Sequence, residues 1–454
     1  MFLTACNVGP DYQQPEIYPP ETIVRELNLY PTMNVNKIQS PQITDRTLNR
    51  LIALGLENNT DLKTAVSRLQ QARLTMQINR ADYLPQIGVK SGYNYEKSSH
   101  NVGLAADSHY YTAGFDASWE LDLWGKGRRQ TEADTATVNA MEYTLDNVRL
   151  SVVAEIARNY INLLQNRENL RFAKQNKNLQ QDITATVRAK YESGLSDETA
   201  YEQAVFLQEN TEAQISEYKQ AIENYENALA TIIGVLPSRI KAESSAKSGL
   251  FTVKLKDVSE QMRTLPATVV RLRPDVAAAE QKLIAENALV GKAVAEMYPD
   301  ASLSGLWGYM AQGGSKLIRS SSQTYNYAPV ITLPLLDWNK LWNAIKIQES
   351  VREEAFLNYQ QTVIAAIAEI KNTLNAYHEV LNTAQHKRQA LQNMQNTMQL
   401  VRKKYENGLI EFSEVLNTQQ NLIDAQEDYI ASRAAVLLNL IAYSKAVGVS
   451  VNSN

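Results

Sequence analysis

The segment RAKYESGL, Arg188–Leu195, returns almost unchanged as RKKYENGL, Arg402–Leu409. Subtracting the first start from the second, 402 − 188, gives an offset of 214. Residues of distinctive type elsewhere in the chain recur at the same offset without a gap. They include Asp61 with Asp275, Leu69 with Leu283, Pro85 with Pro299, Trp124 with Trp338, and Gly234 with Gly448. Matches of this kind across nearly the whole chain indicate a duplicated unit. We therefore predict two copies of one structural repeat.

Composition limits the functional classes. The 454 residues carry 45 Lys and Arg against 49 Asp and Glu, a formal net charge of −4, and no long run of basic side chains. A nucleic-acid partner is therefore not expected. The sequence has no run of about 18 apolar residues, which excludes an ordinary transmembrane helix. Strands of a membrane β-barrel alternate in polarity, so this test does not exclude them.

The single cysteine, Cys6, ends the tetrapeptide Leu3-Thr4-Ala5-Cys6. A small-residue site ending in Cys resembles a bacterial lipobox, in which this residue becomes the lipidated first residue of the mature chain. An incidental free thiol is the alternative, because short motifs match by chance. A signal peptide needs about 15 to 30 residues, so the sequence would begin inside one. Residues 1–43 are predicted to form a lipidated, extended N-terminal arm.

Each repeat is predicted to begin with helices and to continue into a β-hairpin. The first helices are expected at Thr44–Glu57 and from Asp61 towards Tyr83, and their counterpart at Val258–Tyr298 is interrupted at Arg273. After Pro85 and Pro299 the period of apolar residues changes from 3.6 to 2, which marks strands. The four strands are predicted at about 86–97 and 109–122 in the first repeat and at about 300–311 and 324–336 in the second.

Two environments would produce such alternating strands. A half-buried sheet of a soluble protein alternates in this way. However, strands of about 11 to 13 residues are long enough to cross a bilayer at a tilt, and their apolar faces carry Tyr and Trp near the ends, as membrane barrels do. The opposite faces carry charged residues that a dry core would not accept unpaired. These are Lys90, Glu96, Asp116 and Glu120.

Long helices follow each β-hairpin. From about Leu123 to Tyr191, and again from about Asp337 to Tyr405, the sequence has no proline. About 68 residues at 1.5 Å each give a helix of roughly 100 Å, which must pack against other long helices. A glycine turn and a return helix complete each helical hairpin. The domains are then repeats at 44–234 and 258–448, with helical hairpins at 123–234 and 337–448, a linker at 235–257 and a tail at 449–454.

The combined motifs resemble those of the TolC-like outer membrane factors, particularly the lipoprotein branch that serves efflux pumps. The resemblance is carried by four segments and spans essentially the whole chain. They are Gly9-Pro10-Asp11-Tyr12, the strand end Trp119 to Lys126, Arg273-Pro274-Asp275, and the paired Tyr-x-x-Gly-Leu tips. The family implies a mainly α-helical fold with a β-barrel part: a homotrimer with a 12-stranded outer-membrane barrel continued by a periplasmic helical tunnel. From geometry alone, four strands cannot close a barrel, and two, three or four chains would suffice.

The function implied by the resemblance is passage rather than catalysis. No metal-ligand spacing connects the four histidines and no phosphate-binding glycine loop is present, so we expect no catalytic, metal or cofactor site. These histidines are His100, His109, His378 and His386. The resemblance implies a passive exit duct that lies in the outer-membrane lipid and carries small toxic compounds. Its partners are an inner-membrane transporter, which drives transport, and a periplasmic adaptor protein. Metal ions or type I secreted polypeptides remain alternative cargo, and a non-conducting coiled-coil stalk with a barrel anchor remains an alternative function.

Two candidate sites follow the glycine turns. Gly194-Leu195 and Gly408-Leu409 are predicted to dock the adaptor, because a plain helix stop explains the glycine well but the exposed leucine poorly. Beyond Gly408, four polar residues lie at steps of three, four and three, so they share one helix face. They are Glu414, Asn417, Asn421 and Asp424. In the resembling proteins the sixth and ninth positions after the tip glycine contribute the channel aperture.

If the sixth and ninth positions after the tip glycine form the aperture, we expect an acidic ring at Glu414. The ninth position, usually Asp in the family, is Asn417 here, so we expect a neutral second ring there, with Gln420 below it. Crowded carboxylates favour cations and resist closure until they are bridged. An ordinary solvated helix face is the alternative interpretation, since polar residues on a helix commonly face water.

Overall fold

The computed structural model describes residues 7–15, 17–27, 43–97, 99, 101, 107–244, 249–255 and 267–450. Cys6, His100, residues 28–42 of the predicted arm, residues 256–266 and the end of the predicted tail lie outside the described residues.

The first repeat contains a helical pair, a β-hairpin and a helical hairpin. The elements in chain order are α1 (Pro20–Glu26), β1 (Ile43–Thr44), α2 (Arg46–Asn58), α3 (Thr60–Asp82), β2 (Gln86–Lys97), β3 (Asp107–Leu121), α4 (Lys126–Glu192) and α5 (Glu198–Ile233). The 67 residues of α4 form one uninterrupted helix.

The second repeat has the same order after a connecting segment. The connection holds α6 (Pro237–Ser244) and β4 (Lys254–Leu255), and a 3₁₀ helix (Ala267–Leu272) precedes α7 (Pro274–Ala295). The remaining elements are β5 (Asp300–Ala311), β6 (Gln323–Thr332), α8 (Trp338–Glu406) and α9 (Phe412–Ala446). This succession of strands and long helices agrees with the predicted fold class.

The chain forms two compact units. The first unit comprises Met1–Glu16, Ser67–Tyr143 and Ala277–Gln361, and it holds the four long strands with the adjoining helical segments. The second comprises Ile17–Val66, Thr144–Val276 and Thr362–Asn454, and it holds the helical hairpins with their turns.

The sheet of the first unit has the strand order β2-β3-β5-β6, and every neighbouring pair is antiparallel. Alternate side chains therefore point to opposite faces. Tyr93 and Tyr111 lie directly opposite each other with ring centroids 5.0 Å apart, and Phe115 stacks on Trp307 on the neighbouring strand. The apolar face predicted from the alternating sequence is therefore a continuous aromatic face across strands.

The core of the second unit lies between long helices. Tyr160 is fully buried, and its hydroxyl lies 3.0 Å from Asp45 Oδ1, which also caps α2 by accepting from the amides of Thr47 and Leu48. The same core contains fully buried aliphatic side chains of both repeats. They include Leu48, Leu51, Ile156, Ile161, Leu163, Leu229, Ile233, Leu437 and Leu440.

Several segments differ from the sequence predictions. The predicted extended arm contains α1, and the predicted linker contains α6 and β4, which pairs with β1. The first of these departures reflects Pro20 at the start of α1, a position where proline favours a helix. β6 ends at Thr332 rather than 336, because Pro334 follows and has no amide hydrogen for a ladder. Among the described residues, no helix is both long and apolar enough to cross a membrane.

Candidate functional site at the helical tips

The turns that end α4 and α8 have the same backbone geometry. Gly194 and Gly408 have φ angles of 72° and 70°, in the left-handed region that favours glycine. The amide of Leu195 donates to the carbonyl of Lys190 at 2.7 Å, and the amide of Leu409 donates to that of Lys404 at 2.9 Å. These bonds satisfy carbonyls at the end of each helix, as in a Schellman turn.

The leucine that follows each glycine points into solvent. Leu195 is 79% exposed and Leu409 is 71% exposed. No atom lies within 4 Å of the place where a Cβ on either glycine would stand, so the glycines are selected by backbone conformation rather than by crowding. The turn alone does not require an apolar side chain at the next position. The structure therefore presents two matched apolar tips.

A cleft of about 590 Å³ separates the two tips. Its walls carry Lys190 from the end of α4 and Tyr405 from the end of α8, with the ammonium nitrogen 3.9 Å from the ring centroid. This distance is within the range of a cation–π contact. Burial raises the pKa of the Tyr405 phenol above its ordinary value, so the ring stays neutral at physiological pH. The contact joins the two helical hairpins at their ends.

Behind the cleft, the helices enclose an apolar cluster. Phe412 at the start of α9 packs near Tyr405, with ring centroids 5.6 Å apart. The buried members come from all four long helices. They are Val187, Ala200, Ala204, Leu391, Met398, Val401, Phe412, Val415 and Leu422. The tips are therefore held on a packed support.

The predicted aperture residues lie on one face of α9. Their side chains are exposed except for that of Gln420, which is half-buried and donates to Asp424 Oδ1 at 2.9 Å. The exposed members are Glu414, Asn417, Asn421 and Asp424. The opposite face of α9 carries the buried Val415, Thr418, Gln419 and Leu422. The predicted residues therefore share one face of the helix, as their spacing indicates. The role of that face as a channel aperture stays a prediction.

The first repeat does not carry the same polar face. Subtracting 214 from 414, 417, 421 and 424 gives Ala200, Gln203, Leu207 and Asn210, of which Ala200 and Leu207 are buried. The carboxylate at Glu414 is thus a feature of the second repeat alone.

Sequence reasoning missed the polar contacts that join the two hairpins. Asn176 on α4 donates to Gln426 on α9 at 2.9 Å in a buried position, and the Tyr218 hydroxyl on α5 donates to Glu427 at 2.5 Å. Burial together with this bond raises the pKa of Tyr218, so the phenol remains a donor. In each pair the two partners belong to different repeats, and no local pattern identifies them.

Cys6 lies outside the described residues, but the segment that follows it, residues 7–11, makes hydrogen bonds and an ion pair near the beginning of α4. The amide of Val8 donates to the carbonyl of Trp124 at 3.2 Å. The buried guanidinium of Arg129 donates to the carbonyls of Val8 and Gly9 and pairs with Asp11 at 2.8 Å. Residues 7–11 are therefore fixed beside the beginning of α4, in the unit that contains the strands.

Comparison with known proteins gives a consistent result. The family model of the outer membrane efflux protein matches residues 51–235 and 265–449. The starts of the two matched segments differ by 265 − 51 = 214, and their ends differ by 449 − 235 = 214. The family match therefore repeats at the offset of the internal duplication.

Two relatives and one solved structure extend the likeness along the chain. The chain is 27% identical over 389 residues to the cation efflux system protein CusC of Escherichia coli O6:H1, covering 84% of this chain and 82% of that protein. It is 25% identical over 456 residues to the toluene efflux pump outer membrane protein TtgC of Pseudomonas putida, covering 98% of this chain and 93% of that protein. The structure of the outer-membrane channel OprN aligns with a TM-score of 0.87 at 23% identity, covering 98% of this chain and 99% of that one.

Proposed function

We propose that this chain, which belongs to the outer membrane efflux protein family, is the outer-membrane exit duct of a tripartite efflux pump and that its cargo is small toxic compounds. The observation that carries the proposal is the family match over both repeats, joined to a pair of matched apolar tips. Passage through a duct requires no reacting group, and we propose no catalytic role. The duct is passive, so the driving force comes from its partners.

We propose that the working form is a homotrimer. The four-stranded sheet ends in two edge strands, β2 and β6, and about eight strands are the fewest that close a small barrel. Three copies would supply twelve strands, as the resemblance to TolC-like proteins implies. The strands would then lie in the outer-membrane lipid, and Cys6 would add an acyl anchor next to the segment fixed by Arg129.

The proposed partners are a periplasmic adaptor protein and an inner-membrane transporter. The adaptor is expected to cover the apolar tips at Leu195 and Leu409, because covering an exposed leucine removes apolar surface from water. The polar face of α9 at Glu414 and Asn417 is proposed to line the narrow part of the duct. A ring of carboxylates there would attract cations.

Cargo class can be tested by deleting this chain from its host and restoring it from a plasmid. We expect the deletion to sensitise cells to organic antimicrobials and solvents, and the plasmid to restore resistance. Sensitivity confined to metal salts would favour metal-ion cargo, and loss of a secreted polypeptide would favour type I secretion. Single-channel recording of the purified trimer in planar bilayers addresses conduction directly, since a non-conducting stalk would give no discrete current steps.

A further inference from the structure

The loop of the second β-hairpin has a defined backbone. Residues 312–322 join β5 to β6 and contain two short 3₁₀ turns, Gly314–Lys316 and Ser320–Ser322. The Ser322 hydroxyl donates to the carbonyl of Lys316 at 2.8 Å, and the Ser322 amide donates to that of Arg319 at 2.9 Å. These bonds fold the loop back on itself and hold Lys316 and Arg319 close together in the chain path.

This loop combines two cations with an exposed apolar side chain. Lys316 and Arg319 are exposed, and Ile318 between them is 82% exposed. Residues 301–332, which include the loop and nearly all of both strands, contain no Asp or Glu. Within the described part of the chain, neither cation belongs to an ion pair. The loop therefore presents two uncompensated positive charges beside an apolar group.

The first hairpin does not carry this combination. Subtracting 214 from 316 and from 319 gives Val102 and Ala105, both uncharged and both outside the described residues. Where that hairpin's strands end, Lys97 lies opposite Asp107 in the ladder, so the charges are balanced. The hairpin fold thus does not require a positive loop, and the second repeat alone has one.

The loop lies at the end of the sheet that is far from the helices. β3 and β6 continue into α4 and α8 at one end of the sheet, whereas residues 312–322 connect β5 to β6 at the opposite end. In the proposed duct the helices extend into the periplasm. The loop therefore faces the outside of the cell, where the sheet meets the outer leaflet of the membrane.

Aromatic side chains indicate the depth of the loop. Six exposed rings lie in the half of the sheet that is nearer to the hairpin loops. They are Tyr93 and Tyr95 on β2, Tyr111 on β3, Trp307 on β5, and Tyr325 and Tyr327 on β6. Tyr and Trp gather at the boundary between membrane and water. Because the loop follows these rings directly along the strands, it lies at the level of the lipid headgroups.

We propose that this loop binds the phosphorylated glycolipid of the outer leaflet. Arg319 and Lys316 pair with phosphate groups on the sugar headgroup, and Ile318 contacts the apolar part of the same lipid. Arginine binds phosphate through two parallel hydrogen bonds, and lysine adds a point charge. The exposed hydroxyls of Ser320 and Ser321 supply further donors. The inference rests on the proposed placement of the strands in the outer membrane and does not depend on the cargo.

The composition of the loop favours a lipid over a free phosphate ion. A free ion would pair with the two cations but would leave Ile318 in water. A phosphorylated amphiphile covers both parts, since stable attachment to a lipid surface commonly combines basic residues with apolar ones. The outward position selects the glycolipid of the outer leaflet over the phospholipid of the inner one.

Binding of bisphosphorylated lipid A to the purified full-length protein in detergent tests the proposal. Lys316→Gln combined with Arg319→Gln should weaken binding roughly tenfold or more, because each cation near a charged lipid surface contributes separately. Ile318→Ser should cause a smaller loss. Lys63→Gln combined with Arg68→Gln is the matched control, since it removes one lysine and one arginine that are exposed on α3. This control should bind lipid A as the wild type does.

Three further probes identify the ligand. Lipid A without its phosphates should bind the wild type weakly, phosphatidylglycerol should bind less tightly than lipid A, and inorganic phosphate should compete only at far higher concentration. Equal binding of lipid A by the wild type and the Lys316 and Arg319 double variant would overturn the proposed site. Equal binding of phosphatidylglycerol and lipid A by the wild type would overturn the glycolipid assignment, as would competition by inorganic phosphate at the concentration of lipid A.

Membrane fractionation separates this inference from the proposed function. The wild type and the Lys316 and Arg319 double variant should both sediment with the outer membrane, because the loop lies outside the strands. A wild-type protein found in another fraction would overturn the proposed outer-membrane duct. An outer-membrane protein whose binding of lipid A is unchanged by the double substitution would overturn the loop site alone.

Discussion

The side chains of Asn59 and Arg273 donate hydrogen bonds to equivalent backbone carbonyls in the two repeats. Asn59 Nδ2 donates to the carbonyl of Ile232 at 2.5 Å, and Arg273 Nη1 donates to the carbonyl of Ala446 at 2.6 Å. The donor positions differ by 273 − 59 = 214, and the acceptor positions differ by 446 − 232 = 214. The repeat has therefore kept a bond to the end of each return helix while changing the residue that makes it.

The second repeat adds charge to this bond. The Arg273 guanidinium also pairs with Asp275 at 2.8 Å and with Glu369 at 2.7 Å, and Arg273 is buried. Glu155 is the equivalent of Glu369, and it lies 3.7 Å from Arg158 on its own helix. A neutral amide at position 59 cannot form an ion pair. In the second repeat the Arg273 side chain therefore contacts three helices: Asp275 on α7, Glu369 on α8 and the carbonyl of Ala446 on α9.

We predict that Arg273→Ala destabilises the protein more than Asn59→Ala. Removing the arginine leaves two carboxylates and a carbonyl without their partner, at a cost of about 3 kcal/mol. Asn59→Ala removes two bonds, the one to the carbonyl of Ile232 and the one from the amide of Leu62 that caps α3, at a cost of about 2 kcal/mol. Denaturant unfolding followed by circular dichroism measures both. Arg273→Asn, which copies the first repeat, should fall between them, and equal losses from both alanine variants would contradict the proposed difference.

The same cluster predicts a pH dependence. Although burial opposes the charged form, the hydrogen bond and charge of Arg273 hold the pKa of Asp275 below its ordinary value. A depressed pKa in the folded state stabilises the protein above the unfolded-state pKa of about 3.9, and this stabilisation is lost as pH falls through the folded pKa. Asp275→Asn should therefore lower the thermal midpoint at pH 7 and have a diminishing effect below pH about 4. An effect of the same size at both pH values would contradict the linkage.

Most of the fold follows from local pattern and repetition. Predicted and observed bounds coincide for β2 and β5, because a proline precedes each strand and the period changes at once. The long helices lack proline, and glycine ends them. In contrast, α1, and the pairing of β1 with β4, lie in segments with no periodic pattern. Tertiary contacts decide such segments, and one sequence does not reveal them.

The candidate site was predictable only in part. The shared face of Glu414 and Asn417 follows from helical spacing, since residues three and four apart are neighbours. The contact between Lys190 and Tyr405 joins the ends of two helices from different repeats, and so does not follow from local spacing. Both residues nevertheless lie inside the repeated octapeptides. A strong internal repeat was thus the available signal that the two ends meet.

The tip leucines give a third prediction. Leu195→Asp combined with Leu409→Asp should abolish efflux, because a charged side chain would be buried at the adaptor contact. Trimer formation and membrane insertion should persist, since both leucines are exposed in the chain. Growth under antimicrobial challenge and native gels measure the two properties. Methionine at both positions is the matched control and should retain efflux, and full efflux by the aspartate variant would exclude docking at these tips.

Acylation of Cys6 gives a fourth prediction. Metabolic labelling with palmitate should mark the wild-type protein and leave Cys6→Ser unlabelled. Cys6 is the only cysteine in the sequence, so a thiol-dependent label has one possible origin. Some of the Cys6→Ser protein should still reach the outer membrane, because the strands supply a separate anchor. Equal labelling of both proteins would exclude lipidation at this residue.

The last prediction concerns the acidic face of α9. If Glu414 from each copy surrounds the axis of the duct, three carboxylates lie close together and attract cations. Glu414→Ala should then reduce cation selectivity in single-channel recordings, and a polyvalent cation applied from the periplasmic side should block the variant far more weakly than the wild type. Glu202→Ala, which removes an exposed carboxylate from the return helix of the first repeat, is the matched control and should conduct as wild type. Unchanged selectivity and block in Glu414→Ala would show that the narrowest part of the duct is built from other residues.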